Sequence, residues 1–260
     1  MTPLTLGSAS QNVPEDFPQL LELLGSRPQP AVVWYGSAGP SALGSEADRV
    51  ELSGRVLQNW AVKLIGLFRE ELEEVFEDAG RPAVLLDTAP HWKAAAVALA
   101  AGALGAEVTT RAGSGGPDAE EPAASASLVV TDRPERWSSG AGPELGDAEL
   151  AALSPGLLDD SFEDATGEAV PAWVLDVSAE VRQHPDQLVM PLEPVALPAA
   201  EETSGPRLIT PEDWRSQEGA PAGVVGKLLS AWAHGRTVVL FDGEPGSPAW
   251  DQMLRNEGLS

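Results

Sequence analysis

The side chains that could carry chemistry are few and far apart in this sequence. Its three histidines are His91, His184 and His234, and it contains no cysteine, which excludes disulfides, cysteine–zinc sites and thiol catalysis. His91 follows Pro90 at the start of an alanine-rich segment that is typical of a helix. A positive charge there would oppose the helix dipole, so we expect a neutral imidazole with a surface or capping role.

Two further patterns resemble ligand sites but have the wrong spacing. Gly226-Lys227 looks like the end of a Walker phosphate loop, yet Pro221 and Leu228 stand where that loop needs Gly and Ser or Thr. Acidic residues crowd positions 70–78, but on a helix they would spread around its surface rather than converge on a cation. We therefore predict no metal site and no Walker loop.

The charge of the chain restricts its partners. It has 16 Lys and Arg against 40 Asp and Glu, a net charge of −24. Such a surface repels phosphate backbones and anionic lipid, so we expect no nucleic-acid partner and no membrane partner. The N-terminus lacks the pattern of a signal peptide, and no apolar run approaches the roughly 20 residues of a spanning helix, so we expect a cytoplasmic protein.

One stretch predicts the centre of the fold. Residues 83–87 form a short apolar run, residues 91–104 are dense in alanine, and residues 108–110 resume as a strand. A helix of small side chains can approach a sheet closely, and we expect Ala98 to face it. The pattern predicts a strand–helix–strand unit with parallel strands.

Strand and helix patterns alternate through the rest of the chain. Besides that central unit, we predict strands at 31–35, 49–52, 127–131, 173–177 and 237–241 and helices at 17–24, 54–78, 147–153, 178–184, 222–234 and from 247 onward. Ser53 and Ser178 are placed to cap the helices that follow them.

This alternation predicts an α/β fold, a mostly parallel twisted sheet with helices on both faces. We expect a single domain over residues 1–260. Within it we predict a loose arm at 1–15, a flexible loop at 112–125 and an irregular proline-rich segment at 185–206.

The order of these segments resembles the N-terminal part of acyl-adenylate-forming (AMP-binding) enzymes. That superfamily includes acyl-CoA synthetases, luciferases and the adenylation domains of peptide synthetases. The counterparts are the strand and turn at 83–90, the alanine-rich helix and strand at 94–110, and the segment GRTVVLF at 235–241. A small family of short relatives from high-G+C Gram-positive bacteria looks most similar. The resemblance implies a truncated relative with the fold of their N-terminal subdomain.

The resemblance also implies candidate binding residues. The enzymes hold ATP phosphates with a Ser/Thr/Gly-rich loop that ends in Pro-Lys-Gly. The candidate remnant here is Thr203, Ser204 and Gly205, with Arg207 as a cation near its end. Such a cluster also suits an ordinary surface turn.

His91 and Trp92 lie at the turn that borders the ligand cleft in the resembling enzymes. They are therefore the candidate cleft residues, with a capping role for His91 and a core role for Trp92 as the alternatives.

The function that the resemblance implies is binding without catalysis. The motifs that hold adenine, metal and ribose would lie beyond residue 260, so we expect a catalytically inactive homologue without a confident cofactor that binds a small ligand or a protein. Two alternatives stay open. One is a half-enzyme that adenylates a carboxylic acid with ATP and Mg²⁺, using motifs from a partner chain. The other is an interaction module without a ligand.

Overall fold

The structure is a computed structural model of the chain. It describes residues 13–36, 48–77, 80–111, 123, 125–140, 142–154, 156, 159–198, 205–216 and 223–259. The strands are β1 (Pro30–Gly36), β2 (Asp48–Ser53), β3 (Ala83–Asp87), β4 (Glu107–Arg111), β5 (Leu128–Thr131), β6 (Glu149–Ala152), β7 (Leu175–Asp176), β8 (Arg207–Ile209) and β9 (Val238–Phe241). The helices are α1 (Phe17–Gly25), α2 (Gly54–Glu71), α3 (Glu73–Glu77), α4 (Trp92–Ala103), α5 (Pro134–Ser138), α6 (Phe162–Thr166), α7 (Val177–Glu180), α8 (Pro211–Arg215), α9 (Gly223–Ala233) and α10 (Pro248–Glu257).

These strands form two sheets. A four-stranded sheet has the order β2-β1-β9-β8, and a five-stranded sheet has the order β4-β3-β5-β6-β7. Every neighbouring pair is parallel except the β1–β2 hairpin. The α/β class with mostly parallel strands is confirmed, and the strands are divided between two sheets where we had predicted one.

A shared core joins the two sheets. Inward side chains such as Val32 and Leu240 in the four-stranded sheet and Leu86 and Val130 in the five-stranded sheet belong to one buried cluster with α1, α2, α4 and α9. The outer face of the five-stranded sheet packs against α5 and α6, and that of the four-stranded sheet against α10. Helices therefore cover both faces, as the sequence predicted.

Helix α4 is enclosed within this core. All 12 of its residues are buried, and it contacts α2, α9 and strands of both sheets. Small side chains let the neighbours approach closely: a Cβ atom on Gly102 would stand 2.6 Å from the ring of Phe17. The predicted strand–helix–strand unit is confirmed, with β3 parallel to β4, but α4 is surrounded rather than laid on one sheet.

The predicted long helix at 54–78 is confirmed over most of its length. Ser53 caps α2, and its hydroxyl accepts a hydrogen bond from the backbone N–H of Val56 at 3.2 Å. The helix ends at Glu71, because Leu72 leaves the helical conformation with φ at −127°, and the short α3 follows.

Two local predictions are wrong. Residues 147–153, predicted as a helix, contain β6, which is paired between β5 and β7. Pairing and the burial of Leu150 and its neighbours outweigh their helix propensity. Ser178 does not cap the next helix. Asp176 does, accepting hydrogen bonds from the backbone N–H groups of Ser178 and Ala179.

The remaining predicted segments are only partly described. Residues 185–198 of the proline-rich segment form no helix, and their one bridge joins Ala196 to Asp16. The predicted arm at 1–15 and loop at 112–125 lie almost wholly outside the described residues. Within the described ranges, no helix combines the length and the apolar character needed to cross a membrane.

Candidate ligand-binding site

Buried polar groups are concentrated at the end of the five-stranded sheet where its parallel strands have their carboxyl ends. The structure describes nine buried polar or charged residues, and eight of them lie at or just beyond the carboxyl ends of its strands. These eight are Asp87, Thr88, His91, Lys93, Thr110, Thr131, Ser154 and Ser178. We call them the polar edge. Ligand crevices of open α/β sheets lie outside the carboxyl ends of the strands, so the polar edge is the candidate site.

Three parallel strands end in an aspartate there. Asp87 is the last residue of β3, Asp132 follows β5, and Asp242 follows β9 in the other sheet. Our prediction from the sequence missed these residues, although three apolar runs that each end in Asp (VLLD, VVTD and VLFD) signal them. Among the described residues, no three His, Asp or Glu side chains are grouped closely enough to hold a metal ion.

Asp87 is fully buried and well partnered. Its Oδ2 accepts a hydrogen bond from Trp137 Nε1 at 2.9 Å, and its Oδ1 lies 3.5 Å from Arg111 Nε. The guanidinium of Arg111 lies over the Trp137 ring, 4.9 Å from the centroid. Thr131 donates its hydroxyl to the backbone carbonyl of Asp87 at 3.0 Å. This network ties together the ends of β3, β4 and β5.

The other two aspartates lie in less favourable surroundings. Burial raises the pKa of Asp132, against the opposing charge of Arg133 and a hydrogen bond from the backbone N–H of Ala89. Burial, followed by the charge of Asp132, raises the pKa of Asp242 to about 6. Within the described ranges, no residue donates a hydrogen bond to the Asp242 carboxylate. A positive charge or a donor brought by a ligand would stabilise it.

Lys93 is a buried cation at the polar edge. Its Nζ donates hydrogen bonds to the carbonyl of Ser154 at 3.0 Å and to its hydroxyl at 2.8 Å, and lies 3.7 Å from Asp159 Oδ2. The hydroxyls of Ser154 and Ser178 are 2.6 Å apart. Burial lowers the pKa of Lys93 to about 8, although the charge of Asp159 raises it. These contacts tie the start of α4 to the ends of β6 and β7.

His91 and Trp92 lie at the polar edge and are enclosed, with exposed fractions of 8% and 2%. His91 caps α4, since its Nδ1 accepts a hydrogen bond from the backbone N–H of Lys93 at 3.1 Å, in agreement with a neutral imidazole. Its ring meets that of Trp34 edge-on, with centroids 4.4 Å apart. Trp34 donates from Nε1 to the carbonyl of Pro90 at 2.8 Å. These contacts join the carboxyl ends of the two sheets.

Of the four candidate phosphate-binding residues, the structure describes two, Gly205 and Arg207. Thr203 and Ser204 are outside the described residues. Gly205 has φ at +84°, and Arg207 begins β8, where its backbone N–H donates to the carbonyl of Thr237 at 2.8 Å. Because β8 is parallel to β9 and β9 to β1, Arg207 lies at the amino end of its sheet. The structure therefore does not bring Gly205 and Arg207 to the polar edge.

The short acidic helix α8 follows β8. A turn from a strand into a helix is also where phosphate-binding loops lie in many proteins. Thr210 and Asp213 form a capping box at the start of α8, so they satisfy backbone N–H groups that a phosphate would need. The first turn carries Glu212 and Asp213, and Lys227 of α9 pairs with Asp213 at 3.1 Å. The negative charges of this turn oppose a bound phosphate.

Solved structures define the class of fold. Acetoacetyl-CoA synthetase from Streptomyces lividans is 16% identical, with a TM-score of 0.58 over 92% of this chain and 40% of that one. A Brucella canis acyl-CoA synthetase is 14% identical, with a TM-score of 0.57 over 94% and 49%. The N-terminal subdomain of Klebsiella oxytoca NpsA is 11% identical, with a TM-score of 0.53 over 93% and 58%. The chain has the fold of the N-terminal subdomains of adenylate-forming enzymes and spans 40–58% of these structures.

A sequence homologue adds to the similarity of fold. A TIGR03089 family protein of Mycobacterium tuberculosis (strain ATCC 25618 / H37Rv) is 31% identical over 160 residues, which are 62% of this chain and 56% of the relative. The matched part therefore spans little more than half the length of that relative. No protein-family model matches the chain.

Proposed function

We propose that this protein is a non-catalytic relative of adenylate-forming enzymes that binds a small molecule at the polar edge. The observation that carries the proposal is the concentration there of eight of the nine buried polar residues that the structure describes. Polar and charged side chains are mostly exposed in folded proteins, so fully buried ones are normally few. Their collection at one edge of an otherwise apolar core supports a binding site at that edge.

The charges of the site favour a cationic or donor-rich ligand. After burial, the charge of Asp132 raises the pKa of Asp242, and that of Asp87 contributes to raising the pKa of Asp132, so the three carboxylates repel one another across both sheets. Arg111 lies beside Asp87 and Arg133 beside Asp132, which leaves Asp242 as the carboxylate without a cation among the described residues. An ammonium group or several N–H and O–H donors would relieve this repulsion. A triphosphate would increase it.

The described residues also lack a cradle for ATP. Adenylation depends on backbone donors and cations around the phosphates, because electrostatic stabilisation is the main source of catalysis in phosphoryl transfer. The helix that follows β8 has an acidic first turn with capped N–H groups, and Arg207 lies at the amino end of its strand. Both observations support binding without adenylation.

ATP–pyrophosphate exchange tests the absence of catalysis. With Mg²⁺ and mixtures of fatty, aryl or amino acids, we expect the purified chain to stay at background. Removal of one oxyanion donor alone typically lowers a rate by about 10²–10³-fold. Exchange above background that disappears in Arg207→Ala would instead support the half-enzyme alternative.

Thermal shift tests the ligand site. A ligand present at 100 times its Kd stabilises a protein by about 2.7 kcal/mol, which raises the Tm of a chain of this size by several degrees. We expect primary amines and diamines to raise the Tm of the wild type, and this shift to be lost in Asp242→Asn.

Glu244→Gln is the matched control, since it makes the same chemical change at an exposed position two residues further on. It should keep the shift. Stabilisation by ATP with Mg²⁺ but not by amines would contradict the proposed ligand chemistry.

A further inference from the structure

A second surface with binding character lies outside the polar edge. A groove of about 260 Å³ separates α2 from the segment 185–190, and we call it the α2 groove. Val62, Ile65 and Gly66 line it on the helix, and the segment closes its other side. A groove of this volume has room for one large side chain of a partner.

Exposed apolar residues flank the α2 groove. Leu188, Val189 and Met190 are consecutive and have exposed fractions of 38%, 83% and 53%. The other exposed large apolar residues of the described ranges, such as Val56 and Trp173, are far from these three in sequence and from one another. Single exposed apolar side chains are common, whereas a contiguous group marks an interaction surface.

The groove is held open by contacts of its own residues. Arg69 donates to the backbone carbonyls of Met190 and Pro191, each at 3.2 Å, and Lys63 donates to the carbonyl of His184. Gly66 permits the close approach of His184, whose Nδ1 would lie 3.0 Å from a Cβ at that position. A partner would therefore meet a formed surface and would not have to order it.

The charges around the groove are negative toward solvent. Glu70 lines the groove, and its side chain is 72% exposed. Glu71 at the end of α2 and Asp186 in the facing segment are also exposed, as are Glu73 and Glu74 of α3, which follows α2 directly. The basic groups at the groove, Arg69 and Lys63, are directed at backbone carbonyls. With a net charge of −24, a second copy of this chain would be repelled.

We propose that the α2 groove is a docking site for a basic segment of a partner protein, which inserts one large apolar side chain beside Leu188, Val189 and Met190. The apolar contact supplies affinity, and the acidic rim selects a Lys- or Arg-rich partner and accelerates its association. This interaction is separate from ligand binding at the polar edge and does not depend on it.

Synthetic peptides test the docking site on the full chain. The probe is a fluorescein-labelled peptide with one Trp between Lys and Ser residues, and its two controls replace Trp with Ala or Lys with Glu. Fluorescence anisotropy at low and at physiological salt measures Kd. We expect the Lys/Trp peptide to bind more tightly than either control, and more weakly as salt increases.

The deciding variant is Val189→Ser/Met190→Ser, which changes no charge and alters only exposed side chains. It should weaken binding of the Lys/Trp peptide about tenfold or more, equivalent to about 1.4 kcal/mol, because it removes apolar surface from the contact. The control Val56→Ser makes the same change as Val189→Ser at an exposed position on α2 outside the groove, and it should leave Kd unchanged.

Three results would overturn the proposal. Equal binding of the Trp and Ala peptides would show a general attraction to a negative protein. Unchanged affinity in the double variant would place the peptide elsewhere. A dimer of the wild type in light scattering that the double variant abolishes would show that a second copy occupies the groove.

Discussion

Two aspartates occupy equivalent positions in the two sheets and have opposite surroundings. Asp87 ends β3 in the five-stranded sheet and is fully buried, with a hydrogen bond from Trp137 and the guanidinium of Arg111 3.5 Å from its Oδ1. Asp242 follows β9 in the four-stranded sheet, and within the described ranges it has no donor, so burial and a neighbouring carboxylate raise its pKa to about 6. The carboxylate of Asp87 therefore contributes to stability, whereas the charge on Asp242 lowers it.

The contacts of the two carboxylates distinguish a structural group from one that is open to a ligand. A buried charge that already has its partners contributes to the fold and has little left to offer a ligand. A half-buried charge without partners lowers stability until something binds it, and such groups are typical of functional sites. The proposed ligand contact at Asp242 depends on this contrast.

Loss of the partnered carboxylate of Asp87 should lower the stability of the fold most. Asp87→Ala leaves the Arg111 charge buried without its carboxylate, so we expect a loss of about 3–5 kcal/mol in the free energy of unfolding. Urea denaturation measures it. Glu107→Ala, at the exposed amino end of β4, is the matched control and should change the midpoint little. Equal losses of stability in Asp87→Ala and Glu107→Ala would mean that the contacts of Asp87 contribute no more than an exposed carboxylate does.

A smaller effect tests whether the two sheets share one core. Ala98 is 1% exposed on α4, which contacts strands of both sheets. Ala98→Leu should overpack this space and cost about 1–3 kcal/mol, measured as a shift in the urea midpoint. Ala172→Leu makes the same change at an exposed position and should be neutral. An unchanged midpoint for Ala98→Leu would mean that α4 faces solvent.

The smallest change in stability is a gain, at Asp242. Because the pKa of Asp242 is raised in the folded state, that state binds the proton more tightly than the unfolded chain does, and its stability falls as pH rises from about 4 to about 6. A shift of about two pKa units corresponds to about 3 kcal/mol, which the partial exposure of this carboxylate reduces. Asp242→Asn removes the cost, so we expect about 1–2 kcal/mol of added stability at pH 7.5. Thermal melts across pH should show the gain disappear below about pH 4, near the ordinary pKa of Asp. A gain that persists in acid would point to a packing effect.

Much of the fold was predictable because local and tertiary preferences agree. The unit β3–α4–β4, the strands β1 and β2 and the cap at Ser53 all follow from periodicity and capping chemistry. The strand β6 was not predictable in this way, since the sequence ELAALS favours a helix and only its pairing between β5 and β7 makes it a strand. The sequence pattern also could not show that strands of similar sequence divide between two sheets.

The site was less predictable, because it depends on which strand ends meet. The capping role of His91 followed from its place at a helix start. The pairing of Lys93 with Ser154, which lie 61 positions apart, carries no local signal. The three apolar runs ending in Asp are a usable signal, but the strand order is needed to put β3 beside β5, and the folded structure to put Asp242 near Asp132.

The strand order has a consequence for synthesis of the chain. The hairpin β1–β2 is made early, but its partner β9 comes after the entire five-stranded sheet, and β9 inserts between β1 and β8. At about 5–20 residues per second, β1 waits on the order of ten seconds or more for that partner to leave the ribosome. An unpaired apolar strand edge is a template for aggregation. The nascent chain is therefore most vulnerable at β1, and a chaperone that protects this edge would raise the yield of folded protein.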